Sequence, residues 1–329
     1  MIKYSYSLFI KTSILLLLSF VIVTKSYAQE SPKIAKPTSV NINAPLPLAA
    51  YGAFQRGYYK TAFEIASKAA KELDSAASQA LLGLIYAGGF GIKADIDQAA
   101  RWFTKAAENG NAQAMFELGL LYLEGQGVEK NPEKAFQLFQ AAMQKNHVAA
   151  EYNVAISYLN GVGAEENIAK GLELIESSAK KGYSTAFYTL GLIFKDGDLV
   201  PQDLARAANL IGTAAQFGLT AAQVEYGIMV FQGQGTKENA QVAAAWLQKA
   251  AHKGSPVAIN RMARLYAKGI GVERNPQKAL KMHFIASANG VSDLWLDEFI
   301  AQQDEKTVET AKAEARAWLS PLILYNETR

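Results

Sequence analysis

The apolar positions of this chain fall into helical stripes that restart on a fixed register. Gly110, Gly182, Gly218, Gly254 and Gly290 stand on a 36-residue grid, with Asn146 at the one grid point that lacks glycine. Both residue types suit the left-handed conformation that ends a helix. Two further columns recur inside each span. Gly83, Gly119, Ala155, Gly191, Gly227 and Ala263 share one phase, and Ala99, Ala135, Gly171, Ala207, Ala243 and Ala279 share another. Small side chains at both phases let two helices pack closely. A third column, Asp95, Asn131, Asn167, Asp203, Asn239 and Asn275, precedes each second helix, with Pro132 and Pro276 following directly in two repeats. Asp and Asn cap helix N-termini, each worth about 1 kcal/mol, and Pro fits the first helical position.

Paired glycines such as Gly89 and Gly91, Gly125 and Gly127, or Gly269 and Gly271 separate the two helices and predict backbone at positive φ. The fourth span departs from this, with Gly197 but Leu199. The pattern therefore predicts six full repeats over residues 75–290, each a helix, a glycine loop and a second helix. A lone unit exposes its apolar stripe, so the repeats must stack. Ala53, Gly57, Tyr59, Ala62, Ala66 and Ala69 predict a shorter helix pair over residues 50–74 with a tight turn. Residues 291–329 predict one more helix around Leu294 to Ile300, then a charged helix ending near Ala317 and Trp318 that caps the last face. The predicted fold class is an all-α solenoid.

The first-helix column of Leu82-Gly83 with Tyr86, Leu118-Gly119 with Tyr122 and Leu190-Gly191 with Phe194 resembles the tetratricopeptide repeat, followed by a loop two residues longer. With the glycine pair of Gly125-Gln126-Gly127-Val128, and endings such as Trp102 with Lys105-Ala106-Ala107 or Trp246 with Lys249-Ala250-Ala251, the chain is similar to the Sel-one-like repeat subfamily. The resemblance covers more than two thirds of the chain. It implies right-handed α-α superhelical stacking with the first helices on the concave side. It further implies an adaptor or regulatory role, with exported members acting on sensor kinases, cell-wall enzymes or host proteins. One cysteine-rich branch of that subfamily carries a β-lactamase assignment, and the absence of cysteine here separates this chain from it.

Composition and charge narrow the setting. Half of the 329 residues are hydrophobic, which suits a packed helical protein. Lys3 and Lys11, the apolar run from Ile14 to Val23 and the small residues of Ser26-Tyr27-Ala28 predict a secretory signal over residues 1–28. A retained anchor is the alternative, but the run falls short of the ~20 apolar residues a spanning helix needs. Residues 29–49, with Pro32, Pro37, Pro45 and Pro47, predict an extended linker. The formal charge of +3 is deceptive, because removing Lys3, Lys11 and Lys25 leaves 30 basic against 30 acidic residues. A neutral chain argues against a nucleic-acid partner. A periplasmic or secreted location follows, with no stable membrane insertion after cleavage.

Candidate chemistry is thin. Ser177 with Lys180, and Ser178 with Lys181, meet the Ser-x-x-Lys spacing in which lysine assists a serine nucleophile. The Ser-Asp-Asn and Lys-Thr-Gly elements that accompany it are missing. The loop Gly233-Gln234-Gly235-Thr236-Lys237 has the look of a phosphate cradle, but its repetition at one phase favours a structural role. His147, His252 and His283 stand at different frame positions, so neither a metal nor another cofactor is expected.

The informative surface is the one that tetratricopeptide relatives use for binding, mapped onto the first helices. Phe116, Tyr152 and Tyr188 share a column, with Leu120, Ile156, Leu192 and Ile228 one turn later. Together they form an apolar ladder suited to a peptide. The same column is also one in which an aromatic packs against the next repeat, and both readings stand. Toward the C-terminus Asn260, Arg264 and Lys268 follow at four-residue spacing on one face and can hydrogen-bond a carboxylate. The expected function is a non-catalytic scaffold holding a protein or peptide partner, such as an envelope protein or sensor kinase. An envelope hydrolase acting on β-lactams or cell-wall fragments, and a secreted factor binding host proteins, are the alternatives.

Overall fold

A computed structural model describes residues 45–327 of the chain, with side chains through residue 320. The signal of residues 1–28 and the linker up to residue 44 lie outside the described residues. Sixteen α-helices and no strands occur among those described, and the described residues fall into two compact units, divided after Lys181. None of the described helices is long and apolar enough to cross a membrane.

The first unit stacks four helix pairs: α1 (Leu46–Gln55) with α2 (Tyr59–Glu72), α3 (Ala76–Gly88) with α4 (Ile96–Glu108), α5 (Ala112–Glu124) with α6 (Pro132–Gln144), and α7 (Val148–Asn160) with α8 (Ile168–Lys180). The second unit continues with α9 (Ser184–Asp196) and α10 (Leu204–Gln216), α11 (Thr220–Gln232) and α12 (Ala240–His252), then α13 (Pro256–Lys268) and α14 (Pro276–Ala288). A short α15 (Leu294–Ile300) and a long α16 (Glu305–Glu327) close it. Within each unit, helices adjacent in sequence pack on each other as far as α15, and α16 packs back on α14. The protein is thus an all-α repeat solenoid.

Each predicted column has its structural counterpart. Asp95, Asn131, Asn167, Asp203, Asn239 and Asn275 all accept from the backbone N–H three residues on, at 2.8–3.0 Å. The carboxyl or amide oxygen satisfies a donor that a helix start leaves unpaired. The grid glycines and Asn146 take positive φ, and so does Asp74, one period before Gly110. The first-helix column admits no more bulk, because a Cβ on Gly83 or Gly119 would strike the ring of Phe103 or Phe139. Those rings belong to a bulky column of Phe103, Phe139, Ile175, Ile211 and Leu247, all buried. In the last repeat the same position is His283, also buried, whose Nε2 meets Asp297 Oδ1 at 2.8 Å.

Two boundaries differ from expectation. The first helix begins at Leu46, not after residue 49, because Pro45 at the N-cap and Pro47 in the first turn sit where proline fits a helix start. Ala50 and Ala53 then face the core against Ala62, Ala66 and Ala70 of α2. The last helix runs on past Trp318 to Glu327. It buries Ala311 and Ala315, and through them covers the last repeat as a cap.

Candidate interaction surface

The predicted binding column lies on the first helices, and in the first unit these are α5 and α7. Phe116 is half-buried, stacked on the His147 ring at 4.7 Å and tilted against Phe139 at 5.9 Å. The imidazole is fixed by two bonds: its Nδ1 accepts from the Ala150 N–H at 3.1 Å, capping α7, so Nε2 carries the hydrogen donated to Gln113 Oε1 at 3.0 Å. Burial lowers the His147 pKa. Leu120, Tyr152 and Ile156 are 6%, 7% and 3% exposed. They belong to the interior, and Leu120 packs in the cluster of Ala135, Phe139 and Val154. In the first unit the aromatic column is therefore packing, and among the described residues it forms no open ladder there.

The second unit keeps more of the surface. Tyr188 and Leu192 on α9 and Ile228 on α11 are partly exposed. Lys195 Nζ donates to Glu225 Oε1 at 2.7 Å, tying α9 to α11. The Tyr188 hydroxyl is pushed up to about 12, first by burial and then by the negative charges of Glu225 and Asp196. Neutral and half-buried, it offers a phenol next to an ion pair.

Asn260, Arg264 and Lys268 were expected to take a partner's carboxylate. Two of them do hold a carboxylate, but it is the chain's own. Arg264 donates through Nε and Nη2 to Asp293 Oδ2 and Oδ1 at 2.6 and 2.7 Å, and Asn260 Nδ2 donates to Oδ2 at 2.9 Å. Asp293 in turn accepts the Leu296 N–H at 3.2 Å and caps α15. Its carboxyl is held down to about 2, chiefly by the Arg264 hydrogen bonds, with Asn260 and the Leu296 amide adding and burial opposing. Lys268 stays exposed, its ammonium 4.6 Å above the Trp295 ring. No repeat column marks this contact, because Asp293 sits beyond the last full repeat. Its one visible signal is that Asp293 precedes a helix, as the capping residues do.

The Ser-x-x-Lys pairs are not assembled as catalytic pairs. Ser177 Oγ donates to Glu151 Oε1 at 2.8 Å, and Lys181 Nζ donates to both oxygens of that carboxylate at 2.8 and 2.9 Å. Lys180 points to solvent, while Ser178 is buried and donates to the Val148 carbonyl at 3.3 Å. Glu151 therefore ties α7 to α8. The glycine loops also resolve into structure: a Cβ on Gly235 or Gly271 would strike the carbonyl oxygen of Leu204 or Ala240, at the start of the preceding repeat's second helix. Among the described residues, no group of three His, Cys, Asp or Glu side chains is placed to hold a metal.

A second recurrent contact was not anticipated. Lys134 Nζ donates to Tyr122 Oη at 2.6 Å and Lys170 Nζ to Tyr158 Oη at 2.9 Å, each ammonium also lying over the ring. In the second unit Arg206 covers Phe194 at 4.0 Å, and Lys278 lies 5.4 Å from the Tyr266 ring centre. The twelve-residue spacing of aromatic and cation inside a repeat is readable in the sequence.

Paired helices on a 36-residue step, capped by Asp or Asn and jointed at glycine, define a repeat solenoid. The chain belongs to the Sel1 repeat family, which it matches over residues 76–111, 112–147, 148–183, 188–216, 220–255 and 256–291. The shortened fourth match falls on the repeat with Leu199, yet α9 and α10 are as long as the other pairs. Among solved structures it is similar to a Sel1 repeat protein from Oxalobacter formigenes, 27% identical over 76% of this chain and 100% of that one, with a TM-score of 0.64. It also matches c5321, a protective antigen of uropathogenic Escherichia coli displaying an SLR fold, 22% identical over 83% of this chain and 76% of that one (TM-score 0.40). A third match is the immunity protein PA5088 from Pseudomonas aeruginosa, 17% identical over 74% and 82% (TM-score 0.46). Among curated protein sequences there is no match. The Sel1 repeat is in general a protein–protein interaction fold.

Proposed function

We propose that this protein is a non-catalytic scaffold that holds a peptide or protein segment against the first-helix face of its second unit. The observation that carries this reading is the group of Tyr188, Leu192 and Ile228, partly exposed apolar residues beside the Lys195–Glu225 ion pair on a repeat fold used for protein interaction. Aromatic and aliphatic anchors framed by polar groups are the anatomy of a protein-binding patch. Tyr188 and Leu192 stand four residues apart on α9 and so share one face. The engagement of Ser177 with Glu151 favours a structural part for the Ser-x-x-Lys segment over hydrolysis. The apolar run from Ile14 to Val23 supports a site of action in the periplasm or outside the cell.

The test is capture of partners by cross-linking from an envelope extract, comparing wild type with a Leu192→Asp, Ile228→Asp variant. The wild type should retain a specific protein that the variant loses. Both positions are partly exposed, so the variant should keep its helical circular dichroism. Equal capture by both proteins sinks the assignment of this face.

A further inference from the structure

The second unit contains a cleft of about 530 Å³ whose walls come from α12, α13, α14 and the capping helix α16. Its floor is apolar, made by Ile259, Met282 and Ile285. Two aromatic side chains flank it, Tyr266 and, from the cap, Trp318, which is 38% exposed. Gln248 and His252 close another side and are bonded to each other at 3.0 Å. The volume lies in the range of small-molecule sites, and an apolar cleft with a few convergent polar groups is what such sites share.

The rim has an unbalanced charge. Lys281 is paired with Glu314 Oε2 of the cap at 3.2 Å, and Gln277 Nε2 donates to the other oxygen at 2.6 Å, so that carboxylate is occupied. Lys278, which also lines the cleft, makes no ion pair among the described residues and lies over Tyr266. One surplus ammonium above an apolar floor matches one negative charge on an apolar body. A dianion would leave a charge uncompensated, and a cation would meet repulsion at the rim.

We propose that this cleft binds a small amphiphile with a single carboxylate, of the fatty-acid type, its head on Lys278 and its chain over Ile259, Met282 and Ile285. The capping helix then has a role beyond covering the last repeat, because it supplies Trp318 and the Glu314 that leaves Lys278 as the unpaired cation. The proposal is independent of the protein-binding face and stands or falls without it.

Titration calorimetry of the full protein with dodecanoate tests it, with dodecyltrimethylammonium as the probe of equal chain and opposite charge. Dodecanoate should bind saturably at one site below about 1 mM. The cation should give no saturable heat. Lys278→Glu should weaken dodecanoate by about tenfold, whereas Lys237→Glu, an exposed residue outside the cleft, should leave it unchanged. Trp318→Phe should keep the heat and lose any ligand-dependent change in fluorescence at that indole. Absence of saturable dodecanoate binding, equal binding of the two probes, or equal weakening by the two lysine variants overturns the site.

Discussion

Gly254 and Gly271 both take left-handed φ, +81° and +70°, for different physical reasons. Around Gly254 nothing would meet an added Cβ, so Gly254→Ala should cost only the backbone term, about 1 to 2 kcal/mol. At Gly271 the new methyl would also run into the Ala240 carbonyl, so Gly271→Ala must open the joint between repeats and should cost at least twice as much. Urea midpoints of the two variants distinguish these cases. Equal losses would mean that the loop glycines serve only φ. Tyr152→Ala belongs at the same scale: a side chain 7% exposed is core, and its truncation should lower stability by about 3 kcal/mol in the same assay. The phase of Tyr152 was legible in the sequence. Its burial was not, because phase fixes where a side chain leaves its own helix, while exposure depends on what surrounds it.

At the scale of elements, the capping residues were the most legible feature, since an N-cap is decided within four residues. The helix ends at the two extremities were less so, because they depend on packing with no repeated column to mark it. The clamp of Asn260 and Arg264 on Asp293 fastens α15 to α13 and titrates. The Asp293 carboxyl sits at about 2 against an ordinary 3.8, so the folded form holds its proton more weakly than the unfolded form. The contact's contribution, about 2 kcal/mol, is therefore complete above about pH 4 and is lost as the pH falls toward 2. Unfolding midpoints at pH 5 and pH 2.5 should differ more for wild type than for Asp293→Asn. An equal difference in both would detach the acid sensitivity from this clamp.

For the molecule as a whole, the count of repeats and their frame were readable from Gly110 to Gly290 because each repeat meets its neighbour through the same small set of contacts. Exposure of the proposed binding face was only partly readable. Columns report what repeats have in common, whereas the burial of Ile156 and the partial exposure of Ile228, two isoleucines of one column, are decided by what surrounds each. The N-terminal segment carries the remaining expectation. Protein recovered from the cell envelope should begin at Gln29 on N-terminal sequencing, and recovery with Met1 intact would remove export by a cleaved signal from the proposal.

The joint at Gly271, repeated at Gly127, Gly163 and Gly235, makes the spans interchangeable parts. A gene that duplicated or dropped one such unit would rebuild the same seam on either side, so lineages can alter the length of the stack without redesigning any junction.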